Sequence, residues 1–296
     1  MVDLIVSAIP AFVVLLAVEI VTLKLMRHEG EGAPIGYDVR DSSTSIALGL
    51  GKVAGDIFWK IVVAAAYVAL YRFAPLKLSA GVWWTWVLLF FADDLSYYVY
   101  HRASHRVRIF WATHVVHHSS EHYNLSTALR QPWTPFDNII FWAWMPLAGF
   151  PVWTIFLAQA WNLLYQFWIH TETIGRMPSW YEAIFNTPSH HRVHHGSQTQ
   201  YLDRNYAGIL IVWDRLFGSF EPEGERVRYG LTINIGTFNP VRAAFHEYVA
   251  IWNDVRAARN WRHSLGYLLC GPGWQPSHRQ PEQRGSTGRF EPKEMA

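Results

Sequence analysis

Long apolar segments set the strongest constraint on what this 296-residue chain can fold into. A helix needs about 20 mostly apolar residues to span the hydrocarbon core of a bilayer. A later apolar stretch, Asn138 to Ile169, contains proline and glycine and therefore predicts a helical hairpin that turns inside the bilayer or at its far face. Three earlier segments approach the length of a span, namely Leu4 to Leu23, Ile57 to Phe73 and Gly81 to Tyr100.

The bulk composition agrees with a membrane protein. Hydrophobic residues make up 51% of the chain and charged residues 16%, which is more apolar and less charged than is usual for a soluble domain. The net charge is only +2 and the basic residues lie in short clusters, so nucleic acid is not an expected partner. A single cysteine, Cys270, excludes an internal disulfide framework and a multi-cysteine metal site.

These patterns predict an all-α membrane protein with about four to five transmembrane or re-entrant helices and a cytoplasmic helical cap. Residues 1–270 are interpreted as a single membrane-embedded catalytic domain, with its motif core at 94–220. Residues 271–296 are rich in Gly, Pro, Ser, Gln and charge and are predicted to be a disordered tail. Asp93 and Asp94, inside the third apolar segment, are expected to face protein rather than lipid.

Basic residues beside the apolar segments predict the orientation, because cytoplasmic loops are enriched in Lys and Arg. The first segment is followed by charge instead of being preceded by it, so it is interpreted as a retained anchor and not as a cleaved signal. Both basic loops should be cytoplasmic, which places the N-terminus outside. The residues concerned are Lys24, Arg27 and Arg40 after the first segment, and Arg102, Arg106 and Arg108 after the third.

Three short boxes hold most of the 15 histidines. Within each box the spacing of three or four residues places imidazoles on one helical face, where they can converge on one ion. Eight imidazoles exceed the ligand capacity of one ion, so the sequence predicts two metals with positions left for oxygen or water. The boxes comprise His101 and His105; His114, His117 and His118; and His191, His194 and His195.

The remaining histidines carry different expectations. His122 lies off the spacing of its box and is expected near the site without ligating. The sequence leaves open whether His190 is a ligand. Four isolated histidines are expected to be ordinary surface or core residues: His28, His246, His263 and His278.

Further motifs accompany the boxes. The first box is preceded by Asp94-Leu-Ser-Tyr97-Tyr98, and the third is followed by Asn205-Tyr-Ala-Gly208 and by Trp213-Asp214-Arg-Leu-Phe-Gly218. Residues Asp94 to Phe220 thereby resemble the fatty acid hydroxylase and sterol desaturase superfamily of membrane di-iron oxygenases. Within that superfamily, residues 117–131 and 186–196 most resemble the members that cleave ether lipids.

The resemblance implies metal-ligand roles for the eight box histidines. It also implies a ligand role for His170, which follows the apolar hairpin where the superfamily supplies a further histidine. The implied cofactors are two iron ions, O₂ and an external reductant, either a tetrahydropterin or a cytochrome or ferredoxin donor. The implied partners are a lipid substrate, the membrane and an electron-transfer protein.

Polar residues near the boxes are candidates for supporting roles. Glu121 and Glu172 are predicted to be catalytic, because a carboxylate there could orient an imidazole, bridge metals or carry protons. Asn124 and Arg130 are predicted to bind a polar headgroup or the reductant, although a structural role would also suit them. Asn205 and Asp214 are expected to support the third box. Asp94, Tyr97 and Tyr98 suit either a bond to a ligand histidine or an interfacial belt.

The predicted function is oxidation of a lipid C–H bond with O₂, by hydroxylation or desaturation and with ether cleavage as one form. The alternative is a membrane zinc hydrolase acting on a lipid ester or amide. That alternative is weaker, because hydrolytic zinc sites commonly use three protein ligands per metal and often a carboxylate. Metal storage is weaker still, because the boxes are spaced as ligands on helices and not as a flexible His-rich tract.

Overall fold

The computed structural model describes residues 4–25 and 33–276, and within them the chain is helical. The only strand-like pairing found in these ranges is an isolated bridge between Phe185 and Leu210. A short 3₁₀ helix covers Thr127–Leu129. The α-helices are α1 Leu4–Leu25, α2 Val39–Tyr71, α3 Trp83–Arg106, α4 Arg108–His118, α5 Asn138–Trp142, α6 Trp144–Leu147, α7 Val152–Trp168, α8 Ser179–Ile184, α9 Pro188–His194, α10 Val212–Leu216, α11 Pro240–Arg256 and α12 Trp261–Leu269.

Two of these helices, α1 and α2, are long and apolar enough to cross a membrane. The α2 helix has 33 residues and starts well before the predicted span at Ile57, because Asp38 caps its first turn by accepting a hydrogen bond from the backbone of Asp41. Gly49 lets it approach the 3₁₀ helix closely, since a Cβ there would lie 2.8 Å from the carbonyl oxygen of Leu129. The total of four to five spans and the cytoplasmic position of the cap stay predictions.

The third predicted apolar segment is most of α3, which continues beyond Tyr100 through the first histidine box. Asp93 and Asp94 are buried on this helix, at 3% and 0% exposure, so the prediction that they avoid lipid is confirmed. Asp93 accepts hydrogen bonds from Trp142 and Asn162. Because both acids are bonded to protein groups, they join α3 to the apolar hairpin and to the loop before α10.

The predicted hairpin is present as α5 and α6, then a turn, then α7. Gly149 has a φ of +94° in this turn, and a Cβ at this position would lie 2.1 Å from the carbonyl oxygen of Leu76. Its own carbonyl accepts a hydrogen bond from Leu78 at 2.9 Å. Only glycine suits that backbone and that contact. The turn fixes the direction of α7, and His170 lies two residues beyond the end of that helix.

The helices after His170 are short except for α11. Both α11 and α12 pack against α4, and α11 also packs against α12 and α2. Leu48, Val116, Ala243 and Ala244 form the buried core of that contact. In the first residues of the predicted tail, Trp274 lies against Tyr267 with ring centroids 5.3 Å apart, and disorder of the tail stays a prediction. The rest of that tail, 277–296, lies outside the described residues.

Candidate metal centre

Four elements bring the histidines together. The last turns of α3 carry the first box, α4 carries the second, and α9 with the residue after it carries the third. His170 lies two residues beyond α7. All nine side chains are at most 8% exposed, although imidazole is polar. Such concentrated burial of polar rings requires binding partners.

The nine side chains divide into two groups of metal-ligand geometry, and within each group the candidate ligand nitrogens all lie within 4.8 Å of one another. All eight box histidines and His170 belong to these groups. The first group has five members and the second has four. They are His101, His105, His114, His118 and His194, and then His117, His170, His191 and His195.

The Nε2 atoms make the closest approaches. In the five-histidine group, Nε2 of His114 lies 2.9 Å from that of His101 and 3.0 Å from that of His118, which in turn is 3.1 Å from that of His194. In the four-histidine group, Nε2 of His170 lies 3.2 Å from that of His117 and 2.9 Å from that of His191.

Backbone carbonyls fix the tautomers of four of these rings. Each carbonyl only accepts, so the facing Nδ1 must donate, and in a neutral imidazole the Nε2 then carries a lone pair. His117 Nδ1 donates to Arg130 at 3.2 Å and His170 Nδ1 donates to Gln166 at 2.6 Å. His101 and His194 do the same toward Tyr206 and Arg204. The facing Nε2 atoms of His117 and His170 are therefore both acceptors and cannot bond to each other.

A cation between the rings resolves this conflict. At metal–nitrogen distances of about 2.0–2.1 Å, two imidazoles at right angles on one ion have nitrogens about 3 Å apart. The observed Nε2 separations fall at that value. Nε2 of His105 and of His195 are also buried and without a hydrogen-bond partner in the described part of the chain. The donor set fits two borderline metal ions, one in each group.

Burial sets the protonation of the cluster. It lowers the pKa of His117 to about 4. Burial, followed by repulsion from neighbouring histidines, holds the pKa of His114, His118 and His195 well below its usual value. The rings are consequently neutral near pH 7, which is the form that binds metal.

The loop between α9 and α10 is fixed by two buried carboxylates. Asp94 accepts from the backbone of Ile209 and Leu210 and from the Trp213 indole, at 2.8, 3.0 and 2.9 Å. Asp214 accepts from the backbone of Tyr206 and Ala207 at 2.8 Å each. Asp214 thereby positions Tyr206, whose carbonyl accepts the hydrogen bond from Nδ1 of His101.

Asn205 supports the third box directly, because its amide donates to the carbonyl of His190 at 3.0 Å. Asn205 thus contacts the residue that precedes the third box, whereas Asp214 bonds the loop after that box and relates to the first box through Tyr206. Tyr97 donates to Gln166, and Tyr98 bonds to Ser219. Within the described residues, neither Asp94 nor these tyrosines has a hydrogen bond to a ligand histidine, so their positioning is indirect.

The predicted catalytic acids lie outside both ligand groups. Glu121 is exposed and borders a surface cavity of about 290 Å³ with Asp38, Arg40 and His122. Glu172 is half-buried, and it accepts from the backbone of Ile35 at 2.7 Å and from the Tyr229 hydroxyl at 3.1 Å. Burial raises the pKa of the Glu172 carboxyl. The catalytic role of each stays a prediction.

Asn124 and Arg130 are completely or almost completely buried, at 0% and 1% exposure. The amide of Asn124 donates to the carbonyl of Gly36 at 2.9 Å. The guanidinium of Arg130 pairs with Asp41 at 3.0 Å and donates to the carbonyl of Val116 at 3.2 Å. These contacts join α2 to the second box and account for the polar groups structurally, so cofactor binding by either residue stays a prediction.

The other histidines stand apart from both groups. His190 is buried, its ring lies against Phe220, and it borders a cavity of about 270 Å³ with Arg176 and Arg215. His122 contacts the carbonyl of Gly36 at 3.2 Å. His246 and His263 lie on α11 and α12, whereas His28 and His278 lie outside the described residues.

Glu19 is the residue that reasoning from sequence missed. It is only 3% exposed on α1, and its carboxylate accepts from the backbone of Leu125 at 2.8 Å and from the hydroxyls of Tyr37 and Thr171. Thr171 follows His170 directly. The one signal in the sequence was a carboxylate that interrupts an otherwise apolar run.

A family model described as fatty acid hydroxylase matches residues 86–219, which contain all nine ligand candidates. The human alkylglycerol monooxygenase is 41% identical over 279 residues, covering 93% of this chain and 60% of that protein. The alkylglycerol monooxygenase of Danio rerio is 43% identical over 273 residues, covering 91% of this chain and 59% of that protein.

A fatty acid hydroxylase from a Lecanicillium species is more distant, at 27% identity over 181 residues, with 49% of this chain and 46% of that protein covered. No solved structure matches significantly. The chain thus spans about 60% of the length of the alkylglycerol monooxygenases that it resembles.

Proposed function

We propose that this chain is a membrane-bound di-iron oxygenase that oxidises an alkylglycerol ether lipid. Residues 86–219 match the fatty acid hydroxylase family model, and the similar relatives are named alkylglycerol monooxygenases. One observation carries the proposal: nine buried imidazoles form groups of five and four, and the Nε2 atoms of His117 and His170 face each other at 3.2 Å although both rings donate through Nδ1. The substrate class follows the named activity of the relatives.

Each histidine group would hold one iron ion, and the pair of ions would supply activation of O₂ for insertion into a C–H bond. Five ligands on one ion and four on the other leave coordination positions for oxygen or water. The protein positions four of these rings through backbone carbonyls at the Nδ1 atoms, a contact that raises ligand basicity and fixes ring orientation.

The overall reaction balances with one external reductant. One oxygen atom of O₂ enters a C–H bond of the carbon that carries the ether oxygen, and the hemiacetal then breaks into an aldehyde and glycerol. The second oxygen atom leaves as water. Its two electrons come from one tetrahydropterin or from two one-electron transfers by a cytochrome or ferredoxin donor, and its two protons come from the pterin or, with an electron-only donor, from solvent. Burial of every ligand ring keeps bulk water away from this chemistry.

Apolar residues next to the four-histidine group suit the alkyl chain. Leu125, Ala128 and Phe167 form a buried cluster against Phe12 and Leu16 of α1. Since α1 and α2 are candidate spans, a lipid chain would approach the site from the bilayer and its polar head would stay at the surface. Glu121 and Glu172, on the polar side, are proposed to handle protons.

Orientation is part of the proposal. Lys24 and Arg40 flank the two candidate spans, and Arg102, Arg106 and Arg108 lie beside the first two boxes, which favours a cytoplasmic metal centre in a multi-pass protein. Cysteine labelling in a Cys270→Ser background tests this. A cysteine placed at the loop residue Gln200 should react with a membrane-impermeant reagent only after the cells are opened; labelling of intact cells would place the loop outside.

The activity test gives purified, anaerobically iron-loaded protein an alkylglycerol and O₂. Reduced tetrahydropterin is the reductant in one reaction and a reduced ferredoxin system in the other. Release of a fatty aldehyde with pterin is the expected result. An intact ether in both reactions, together with oxidation of a sterol or fatty acyl lipid, would overturn the ether-lipid assignment but keep the oxygenase.

The zinc hydrolase alternative is not favoured. Neither ligand group contains a carboxylate, and the relatives are named as monooxygenases and a hydroxylase. Elemental analysis and oxygen uptake separate the two functions. Lipid hydrolysis by zinc-loaded protein without oxygen consumption would support the hydrolase and reject the oxygenase.

A further inference from the structure

The α11 helix carries an apolar stripe that is largely exposed in the described part of the chain, where Phe245 lies against the ring of Trp133 at 6.0 Å. Its buried face holds Ala243, Ala244 and Ile251, which pack toward α2 and α4. The members of the stripe are spaced by four, four and three residues, so they share one face of the helix. That face points away from the buried face. They are Val241, Phe245, Val249 and Trp252, with exposures of 55%, 36%, 56% and 61%.

The next helix, α12, repeats the arrangement. Trp261, Leu265 and Leu269 are spaced by four residues and are 67%, 44% and 58% exposed. Tyr267, on the opposite face, is buried. Each stripe is exposed and apolar, and the two helices that carry them pack on each other. Contiguous exposure of this kind marks a binding surface.

The charge around the two stripes is positive. Arg242, Arg256, Arg259 and Arg262 are exposed on α11, on α12 and between them. The guanidinium groups of Arg256 and Arg262 lie 5.7 and 5.5 Å from the ring centroids of Trp252 and Trp261. The acids of this region do not balance them, since Glu247 and Asp254 are both paired with buried Arg108 at 2.7 and 2.8 Å.

The packing of α11 on α2 determines how deep α11 lies relative to the bilayer. Thr44 of α2 donates to the carbonyl of Phe238, just before α11, and Leu48 packs on Ala243 and Ala244. At 1.5 Å per residue, the 33 residues of α2 extend about 50 Å, well beyond a hydrocarbon core of about 30 Å. Its first turns hold the buried Asp41–Arg130 pair, so this is the end that suits the headgroup layer.

We propose that α11 and α12 lie flat on the membrane surface as an interfacial collar that binds anionic lipid headgroups. The apolar stripes enter the boundary between headgroups and acyl chains, and the four arginines contact lipid phosphates and carboxylates. Tryptophan beside arginine on an amphipathic helix is the composition expected at that depth. On α2, Ile46 and Leu50 lie either side of the Leu48 contact in the sequence and are also exposed, at 44% and 65%.

The test measures where the collar lies in the full chain. Spin labels are attached to single cysteines, Val249→Cys and Leu265→Cys, in a Cys270→Ser background, and the protein is placed in phosphatidylcholine nanodiscs with or without phosphatidylserine. Oxygen, which concentrates in lipid, should relax both labels more strongly than a water-soluble nickel chelate. Gln200→Cys, in the exposed polar loop between α9 and α10, is the control and should favour the nickel chelate.

Adding phosphatidylserine should lower nickel access at Val249 by about twofold or more, because each arginine near the surface favours an anionic leaflet. The triple variant Arg242→Gln, Arg256→Gln, Arg262→Gln should lose that response while its helical circular dichroism and metal content remain unchanged. Equal nickel access at Val249 and Gln200 would overturn the proposal, because it would show that the stripe faces water. Spin–spin broadening at Val249 would overturn it in favour of a second copy, and a phosphatidylserine response that the triple variant retains would remove the arginine role.

Discussion

The two histidine groups differ in how the fold holds them. Four of the five ligands in the first group come from α3 and α4, consecutive helices that pack closely on each other. The four ligands of the second group come from three places in the chain: α4, the residue stretch after α7, and the third box. The first site is therefore built mainly by local structure, and the second by long-range contacts.

Those long-range contacts are few and identifiable. The position of His170 depends on the end of α7, where its Nδ1 donates a hydrogen bond to the carbonyl of Gln166 at 2.6 Å. The next residue, Thr171, donates to Glu19 on α1. The comparison indicates that the four-histidine site is the easier of the two to disturb. Its candidate ligands come from separate segments, so removing one distant contact can shift one ligand relative to the others.

The largest expected effect is loss of turnover after removal of any one ligand. Loss of outer-shell partners of metal ligands typically costs 10–100-fold, so His105→Ala, His117→Ala and His194→Ala should each lower aldehyde release by more than about 100-fold. Membrane insertion should be unchanged, since the candidate spans lie elsewhere. His263→Ala is the control and should stay active; activity of all four variants at the control level would remove the ligand assignments.

A second prediction separates the two sites by using adjacent residues. His117 and His118 are neighbours in sequence but belong to different groups. His117→Ala should lose the metal of the four-histidine site, and His118→Ala should lose that of the five-histidine site, each keeping the other ion. Metal content combined with Mössbauer spectra of iron-57-loaded protein distinguishes the remaining sites. Identical spectra from the two variants would contradict the division into groups.

The clustering of the histidines within each box was predictable because helical spacing is a local property. His101 and His105 share a face whatever the rest of the fold does, and the same holds within the other boxes. The division into two groups was not predictable. Adjacent residues on a helix point about 100° apart, so His117 and His118 diverge toward different partners, and those partners are fixed only by tertiary packing.

The supporting residues show the same limit. Glu19 lies in an apolar run, where the sequence gives no indication of which distant groups its carboxylate contacts. The start of α2 was placed too late because an apolar window detects the span and not the polar turns before it, which are held by Asp38 and by the Asp41–Arg130 pair. All-helical architecture and protein-facing acids on α3 were predicted correctly, since length and burial costs determine both.

A third prediction tests the contact from α1. Glu19→Ala removes the acceptor of three hydrogen bonds and frees the loop beside His170, so metal at the four-histidine site should be lost to a chelator about tenfold faster. The five-histidine metal should keep its rate. Val18→Ala, whose side chain is 54% exposed on the same helix, is the matched control. Equal acceleration at both sites would show general destabilisation instead of a contact specific to one site.

The smallest expected effect comes from a single hydroxyl. Tyr123 donates to the carbonyl of Ile169 at 3.0 Å, and its ring lies 5.8 Å from that of His170. Tyr123→Phe keeps the ring and removes one buried hydrogen bond, worth about 1 kcal/mol, so metal loss from the four-histidine site should accelerate by no more than about fivefold.

Tyr98→Phe is the matched change on the side of the five-histidine group. Its hydroxyl bonds to Ser219 at 2.8 Å, and Ser219 in turn donates to Asp214, which holds the carbonyl facing His101. Asp214 keeps both of its backbone bonds in this variant, so the metal of the five-histidine site should leave at the unaltered rate. A fivefold acceleration there, with none in Tyr123→Phe, would reverse the comparison and make the five-histidine group the one that depends on distant contacts.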